Sequence, residues 1–286
     1  MVDSNMSTAE PLQPDLALEA KSPFELRVNQ SAGAQESFIK TSVDTGDVGF
    51  LHSFTTGSAV DGPGIRVVVW TAGCNWRCRY CHNPDTWSLI NGMAVPLDRA
   101  VNELRKYRRG LQVMSGGLTV SGGEPLMQDR FVVRLCAAAK AMGIHTAIET
   151  NGYLGERLSD ADLEQIDLVL LGLKSWDDRH QDLTGKNIGP TLDFARRLAD
   201  RKKSIWVRFV LVPGLTDARE IIEPIAKFAA RLGVVERVDV LPFHQMGRFK
   251  WQKLGLDYTL NDVQPPSLEL VETTCKIFRD EGLIAY

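Results

Sequence analysis

Cys74, Cys78 and Cys81 are spaced CxxxCxxC in the run Gly73-Cys74-Asn75-Trp76-Arg77-Cys78-Arg79-Tyr80-Cys81-His82-Asn83. Three closely spaced thiolates can hold three irons of a cubane cluster and leave the fourth iron open to a small molecule. Four protein ligands would close such a cluster for electron transfer or structure. Zinc is the alternative, and a structural zinc site takes four ligands, commonly paired CxxC or CxxC with HxxxH. His82 adjoins Cys81 and is badly placed to complete a tetrahedron, while Cys136 and Cys275 lie far away on apolar helical stripes. Spacing alone leaves zinc open; the sequence around the triplet weighs against it.

The elements that must carry this loop recur along the chain. Short β-branched runs occupy Ile65–Thr71, Leu118–Ser121, His145–Thr150, Leu168–Leu173, Ile205–Val212 and Val235–Leu241. Most are continuously apolar, as parallel strands covered on both faces are. Between them run helical stripes: Leu97, Val101, Leu104 and Leu111; Phe131, Val132, Leu135 and Met142, ended by Gly143; and Ile221, Ile225, Phe228 and Leu232, stopped by Gly233. Asp217 and Glu220 are spaced as a capping pair for the third, and a last helix is expected from Ser267 towards Arg279. Six strand–helix units fall two short of a closed eightfold barrel, so the fold is α/β with a parallel sheet, open or rolled into a partial barrel. In either architecture the active site gathers at the C-terminal ends of the strands, where the cysteine loop stands.

The chain has 286 residues with a formal charge of −3. That balance gives no global field for nucleic acid or an anionic membrane, and the longest apolar runs are too short to cross a bilayer. From Met1 to Thr45 no period is sustained, and seven acidic residues face three basic ones. Residues 1–45 are therefore expected to form a disordered extension, too poor in apolar surface to offset its ordering entropy, ahead of one core domain over 46–286. It matches neither a secretory signal nor an organelle transit peptide. No P-loop or dinucleotide fingerprint follows a strand.

The triplet with aromatic Tyr80 before its third cysteine resembles the signature of the radical S-adenosylmethionine (SAM) superfamily. Ser121-Gly122-Gly123-Glu124-Pro125, at the end of the second strand, is similar to that superfamily's glycine-rich motif for the methionyl amino group. Glycines suit it because an amine approaches bare backbone only where no side chain intrudes. The superfamily's partial (β/α)6 TIM-like barrel agrees with the six units. Val60-Asp61-Gly62-Pro63-Gly64-Ile65-Arg66, Cys81-His82-Asn83-Pro84, Glu149-Thr150-Asn151-Gly152, Val212-Pro213-Gly214 and Leu241-Pro242-Phe243-His244 narrow the resemblance to the activases of glycyl radical enzymes, and among these to the family acting on pyruvate formate-lyase. It runs from about Phe50 to Tyr286.

The resemblance implies a 4Fe-4S cluster on Cys74, Cys78 and Cys81, SAM bound at the open iron, and one-electron reduction by a flavodoxin- or ferredoxin-type carrier. SAM then yields methionine and a 5′-deoxyadenosyl radical, which takes a hydrogen from a glycine Cα of pyruvate formate-lyase under anaerobic conditions. Tyr80 is implied at the adenine, Gly122 and Gly123 at the methionyl amine, and Lys174 at the nucleoside or the methionyl carboxylate. Glu149 is implied beside SAM, His244 near the ribose, and Asp61, His82 and Asn83 at the protein substrate. Without the resemblance, the alternatives are ordinary aromatic packing for Tyr80, an Asx turn at Asp61 and a structural histidine at His244.

Two positions depart from the family pattern, in which paired aspartates hold a monovalent cation by SAM. Glu149 reaches one methylene further and Gly172 offers no ligand. A hard cation needs several oxygen donors, so Lys174 is expected to meet the methionyl carboxylate directly, without the cation. Activases of other glycyl radical enzymes often carry extra cysteine clusters after the triplet, whereas residues 82–121 contain no cysteine. A non-catalytic zinc or iron–sulfur module is the remaining rival. Thiolates kept for an oxygen-sensitive cluster imply a reducing compartment, so a cytoplasmic enzyme is expected; a monomer with no nucleic-acid or membrane partner is expected as well.

Overall fold

A computed structural model describes residues 32–286, with side chains from residue 35 onward. Its strands are β1 (Val48–Ser58), β2 (Arg66–Thr71), β3 (Met93–Pro96), β4 (Gly117–Gly122), β5 (His145–Thr150), β6 (Leu168–Gly172), β7 (Ser204–Leu211) and β8 (Val235–Pro242). They form a mixed sheet in the order β3-β1-β2-β4-β5-β6-β7-β8. The six expected strands are its six consecutive parallel members, each within a residue or two of the range read from the sequence. Every residue of β6 is buried, which accounts for its unbroken apolar run. The two strands that extend the sheet beyond β2, β1 and the edge strand β3, were not anticipated. β1 pairs antiparallel with both β2 and β3. β1 mixes apolar, polar and glycine residues without strict alternation, and β3 has four residues, so neither carries a strong strand period.

The described helices are α1 (Ala32–Thr45), α2 (Leu97–Val113), α3 (Asp129–Ala141), α4 (Asp160–Leu163), α5 (Asp177–Thr184), α6 (Gly189–Asp200), α7 (Arg219–Leu232), α8 (Arg248–Lys253) and α9 (Leu268–Asp280). The stripes on α2, α3, α7 and α9 face the sheet and build one core with it, including Leu104, Phe131, Leu135, Ile225 and Phe278. Each such side chain contributes roughly 1.5–3 kcal/mol by leaving water. α6 escaped the sequence reading although Thr191, Phe194, Ala195 and Leu198 form its buried stripe.

Two expectations are corrected. Residues 32–45, assigned to the disordered extension, form α1, because Phe38, Ile39 and Val43 pack on Phe50, Ala72 and Ala94. Those partners lie on β1, just past β2 and on β3, so helical spacing alone could not show the contact. The rest of the proposed extension, residues 1–31, lies outside the described residues. On α7 the N-cap is Ala218, with no capping side chain; Asp217 falls one residue too early to act there. Ser267, by contrast, caps α9 through its hydroxyl, which accepts from the Leu270 N–H at 3.1 Å.

Candidate active site

The chain leaves β2 at Thr71 and enters the cysteine loop, which has no regular structure of its own. Its backbone donors are taken by distant segments. Gly73 N–H donates to Thr86 O at 2.7 Å and Cys74 N–H to Trp87 O at 3.1 Å. Arg77 N–H and Arg79 N–H donate to Thr184 O and Leu183 O, at 2.8 and 3.1 Å, at the C-terminal end of α5, whose last carbonyls have no intrahelical partner. From the other side α8 holds the loop's exit: Trp251 Nε1 donates to Cys81 O at 2.8 Å, and Lys250 Nζ donates to Asn83 Oδ1 at 2.8 Å and pairs with Asp85 at 2.9 Å.

Cys74, Cys78 and Cys81 open on a cavity of about 300 Å³ at the C-terminal ends of the parallel strands. All three are free thiols. Burial pushes them up, Cys78 to about 12, helped by Cys81, and Cys74 further, helped by Glu124. A bare thiolate is therefore unfavourable here, and a cationic group bound to the sulfurs is what would keep them ionised. Among the described residues no three His, Cys, Asp or Glu side chains converge on a single-ion site. Three thiols lining one cavity match the three-cysteine donor set of a cubane cluster.

The opposite wall comes from the strand tips. Gly122 ends β4 and Gly123 follows it, but their reason differs from the one read in the sequence. A Cβ on Gly122, whose φ is +119°, would stand 2.2 Å from Thr71 N, and one on Gly123 2.3 Å from Gly73 O. Close approach of β2 and the cysteine loop excludes side chains there. Glu124, fully buried, accepts from Leu126 N–H, Thr150 Oγ1 and Asn151 N–H at 2.9, 2.6 and 2.8 Å and locks the turn. Glu149, at the end of β5, accepts from Ser121 Oγ at 2.7 Å and lies 3.5 Å from Arg208. Burial raises its proton affinity, but Arg208, Lys174 and Ser121 outweigh it and hold the carboxyl below the usual range. Lys174, two residues beyond β6's Gly172, folds back over that glycine: a Cβ at 172 would lie 2.8 Å from its Cε and 3.0 Å from its Nζ.

Tyr80 lines the cavity with a buried hydroxyl that has no hydrogen-bond partner. His82 also lines it; its ring stacks on His244 at 3.9 Å between centroids, and its Nε2 lies 3.2 Å from His244 O. Burial, then the His244 ring, lowers the His82 proton affinity to about 4. His244 is not in the cavity wall; it touches the site through His82. Asp61 enters from the loop before β2, accepting from Ser58 Oγ at 2.5 Å, with burial raising its proton affinity. Asp61, Tyr80, His82, Asn83, Glu149 and Lys174 thus converge with the cysteines and the two glycines.

Sequence reading missed Arg208 on β7 and Trp76 in the cysteine loop, both lining the cavity. Arg208 had a signal, a cation inside the apolar run Ile205–Leu211. Trp76, which is 1% exposed and edge-on to His180 at 4.8 Å, had none.

Residues 68–228 match the family model of the radical SAM superfamily. The chain is 42% identical over 244 residues to the pyruvate formate-lyase-activating enzyme of Staphylococcus epidermidis, covering 82% of this chain and 97% of that protein. It is 39% identical over 238 residues to the pyruvate formate-lyase 1-activating enzyme of Escherichia coli, with the same two coverages. In fold it resembles spore photoproduct lyase, with a TM-score of 0.60 at 13% identity over 82% of this chain and 78% of that one. A radical SAM methyltransferase from Sphaerobacter thermophilus gives a TM-score of 0.55 at 17% identity, over 82% and 76%. The chain belongs to the radical SAM superfamily and, within it, to the pyruvate formate-lyase-activating enzymes.

Proposed function

We propose that this chain activates pyruvate formate-lyase by generating a glycyl radical on it, with SAM as co-substrate. The observation that carries the reading is the convergence, in one cavity, of three half-buried thiols with Asp61, Asn83, Glu149 and Lys174. A 4Fe-4S cluster, when bound, supplies one electron to SAM, which releases methionine and the 5′-deoxyadenosyl radical that takes hydrogen from the glycine Cα. Cys74, Cys78 and Cys81 would hold three irons.

The protein's remaining work is orientation and exclusion of water. Tyr80 offers the adenine a buried ring face and an unpartnered hydroxyl. Glu149, kept ionised by Arg208 and Lys174, provides an acceptor for the methionyl ammonium, and Lys174 provides a donor for the carboxylate. Because the Lys174 ammonium fills the space over Gly172, a built-in cation stands by the SAM end, and we assign no separate monovalent cation there. Asp61 would accept backbone N–H groups of the incoming glycine loop, with Asn83, held by Lys250, beside it. His244 would act on the ribose side through its stack with His82. A flavodoxin- or ferredoxin-type carrier is the proposed reductant, the enzyme is proposed to act as a monomer, and its compartment is proposed to be the cytoplasm; no described helix is long and apolar enough to cross a membrane.

Anaerobic EPR tests this reading. The reconstituted, reduced protein mixed with SAM and pyruvate formate-lyase should give a glycyl radical doublet that disappears with Cys78→Ala. Release of 5′-deoxyadenosine without a doublet would keep the radical chemistry and reject the partner. Neither signal from a cluster-loaded sample would reject the enzyme reading.

A further inference from the structure

Behind the cysteine wall, α8 presents two unlike faces. Its inner face holds Trp251, which donates to Cys81 O and packs with Tyr80 and Tyr258 in an apolar cluster against which Cys78 and Cys81 lie. Its outer face is open. Met246, just before the helix, and Phe249 and Lys253 on it are spaced i, i+3 and i+7 and share that side. The first two are 71% and 60% exposed, and Leu254 and Leu256 at the helix end are exposed as well. Of the eleven large apolar side chains exposed among the described residues, four thus fall between 246 and 256. Exposed apolar surface gathered in this way marks a contact site rather than a solvated face.

The charge on this segment is one-sided. Residues 245–256 carry Arg248, Lys250 and Lys253 and no acidic residue, in a chain whose net charge is −3; the first carboxylate beyond is Asp257, past the helix end. Lys250 is tied to Asn83 and Asp85. Arg248 and Lys253 are exposed, and neither has an ion-pair partner among the described residues. On α2, α6 and α9, by contrast, surface cations are neutralised one turn away, Lys106 by Glu103, Arg196 by Asp193 and Lys276 by Asp280. None of residues 245–256 lines the cavity. A protein seated on the outer face of α8 therefore approaches the thiol wall from behind, through one helix about 10 Å across, and leaves the cavity mouth to the polypeptide. Electron transfer weakens steeply with distance but needs no shared cavity, whereas hydrogen abstraction needs the glycine inside it. An apolar centre with unpaired cations beside it fits a transient partner that carries carboxylates round its redox group.

We propose that the outer face of α8, with Met246, Phe249, Arg248 and Lys253, is the docking surface for an acidic one-electron carrier protein. The carrier loses one electron there and the cluster on the three thiols gains it; no atom passes between the proteins. This rests on the reductant reading given above. The test measures binding as well as rate. The dissociation constant of oxidised flavodoxin for the reconstituted protein is determined by calorimetry at low and high salt, and reduction of the cluster by reduced flavodoxin or by dithionite is followed by anaerobic absorbance. Arg248→Glu with Lys253→Glu should weaken flavodoxin about tenfold at low salt, and the difference should shrink as salt screens exposed charges. Phe249→Ser should weaken it about fivefold at both salt concentrations. Either variant should slow reduction by flavodoxin in proportion, yet match the wild type in reduction by dithionite and in affinity for pyruvate formate-lyase. Arg105→Glu with Arg109→Glu makes the same charge change on the exposed side of α2 and should bind flavodoxin as the wild type does. Affinity retained in both α8 variants, or lost equally in the α2 variant, overturns the assignment. Loss of affinity for pyruvate formate-lyase instead makes the face a substrate contact, and equal loss of reduction by dithionite makes it a support for the cysteine loop; both overturn it. If neither flavodoxin nor ferredoxin binds the wild type, the docking surface falls, while a glycyl radical doublet obtained with dithionite leaves the function standing.

Discussion

The two walls of the cavity are built by different physics. The strand-tip wall, with Gly122, Glu149 and Arg208, hangs on a ladder of parallel pairings whose register places each side chain at a fixed height. The cysteine wall has no ladder. Its shape is imposed by α5, α8 and the Thr86–Trp87 turn, which lie up to 170 residues away in sequence. A strand tip tolerates change at one residue because its neighbours keep the register. A loop clamped at isolated points does not.

The largest effect should come where the two walls touch. A Cβ on Gly123 would meet backbone, Gly73 O at 2.3 Å and Thr86 O at 3.0 Å, and neither can yield without moving the cysteine loop. Gly123→Ala should therefore cost about 3 kcal/mol, at the upper end for overpacking, and abolish iron incorporation. Urea denaturation and iron analysis measure the two. Iron retained at wild-type level would mean the loop is less tightly tied to β4 than the distances say.

On the loop side, His82 gives a pH signature. Its proton affinity falls from an ordinary value near 6.5 to about 4, through burial and the His244 ring. As pH drops through about 6.5 the unfolded chain takes up the proton first, so stability declines from there down to about 4, by up to about 3 kcal/mol. His82→Phe, which keeps a ring against His244, should flatten that part of the stability–pH curve. An unchanged slope would show that other groups carry it.

The smallest effect on stability belongs to the strand-tip side. At Gly172 the added Cβ meets only the end of a flexible lysine, so Gly172→Ala should cost less than about 1 kcal/mol. Displacing the Lys174 ammonium should still weaken SAM several-fold, by roughly 1 kcal/mol of lost charge-assisted bonding. Wild-type turnover should be the same in potassium, sodium or tetramethylammonium. A strong potassium requirement would show that the Lys174 ammonium does not replace a bound cation.

What the sequence by itself determined was the chemistry and the repeating frame. Thiol spacing is a local property, and the six parallel strands betray themselves because burial on both faces forces continuous apolar runs. Cys74, Cys78, Cys81, Glu149 and Lys174 were legible for that reason, as loop and strand-end residues of recognisable motifs. Only the tertiary structure decided what those residues touch. Why Gly123 must be glycine depends on a carbonyl across the cavity wall, and why Ala32–Thr45 forms a helix depends on Phe50 and Ala94, beyond its own period. Arg208 is the clearest case. Its type and its place in an apolar strand were on view, but its role requires three carboxylates from three segments to meet at one guanidinium. Close packing brings such groups together, and no single stretch of sequence encodes it.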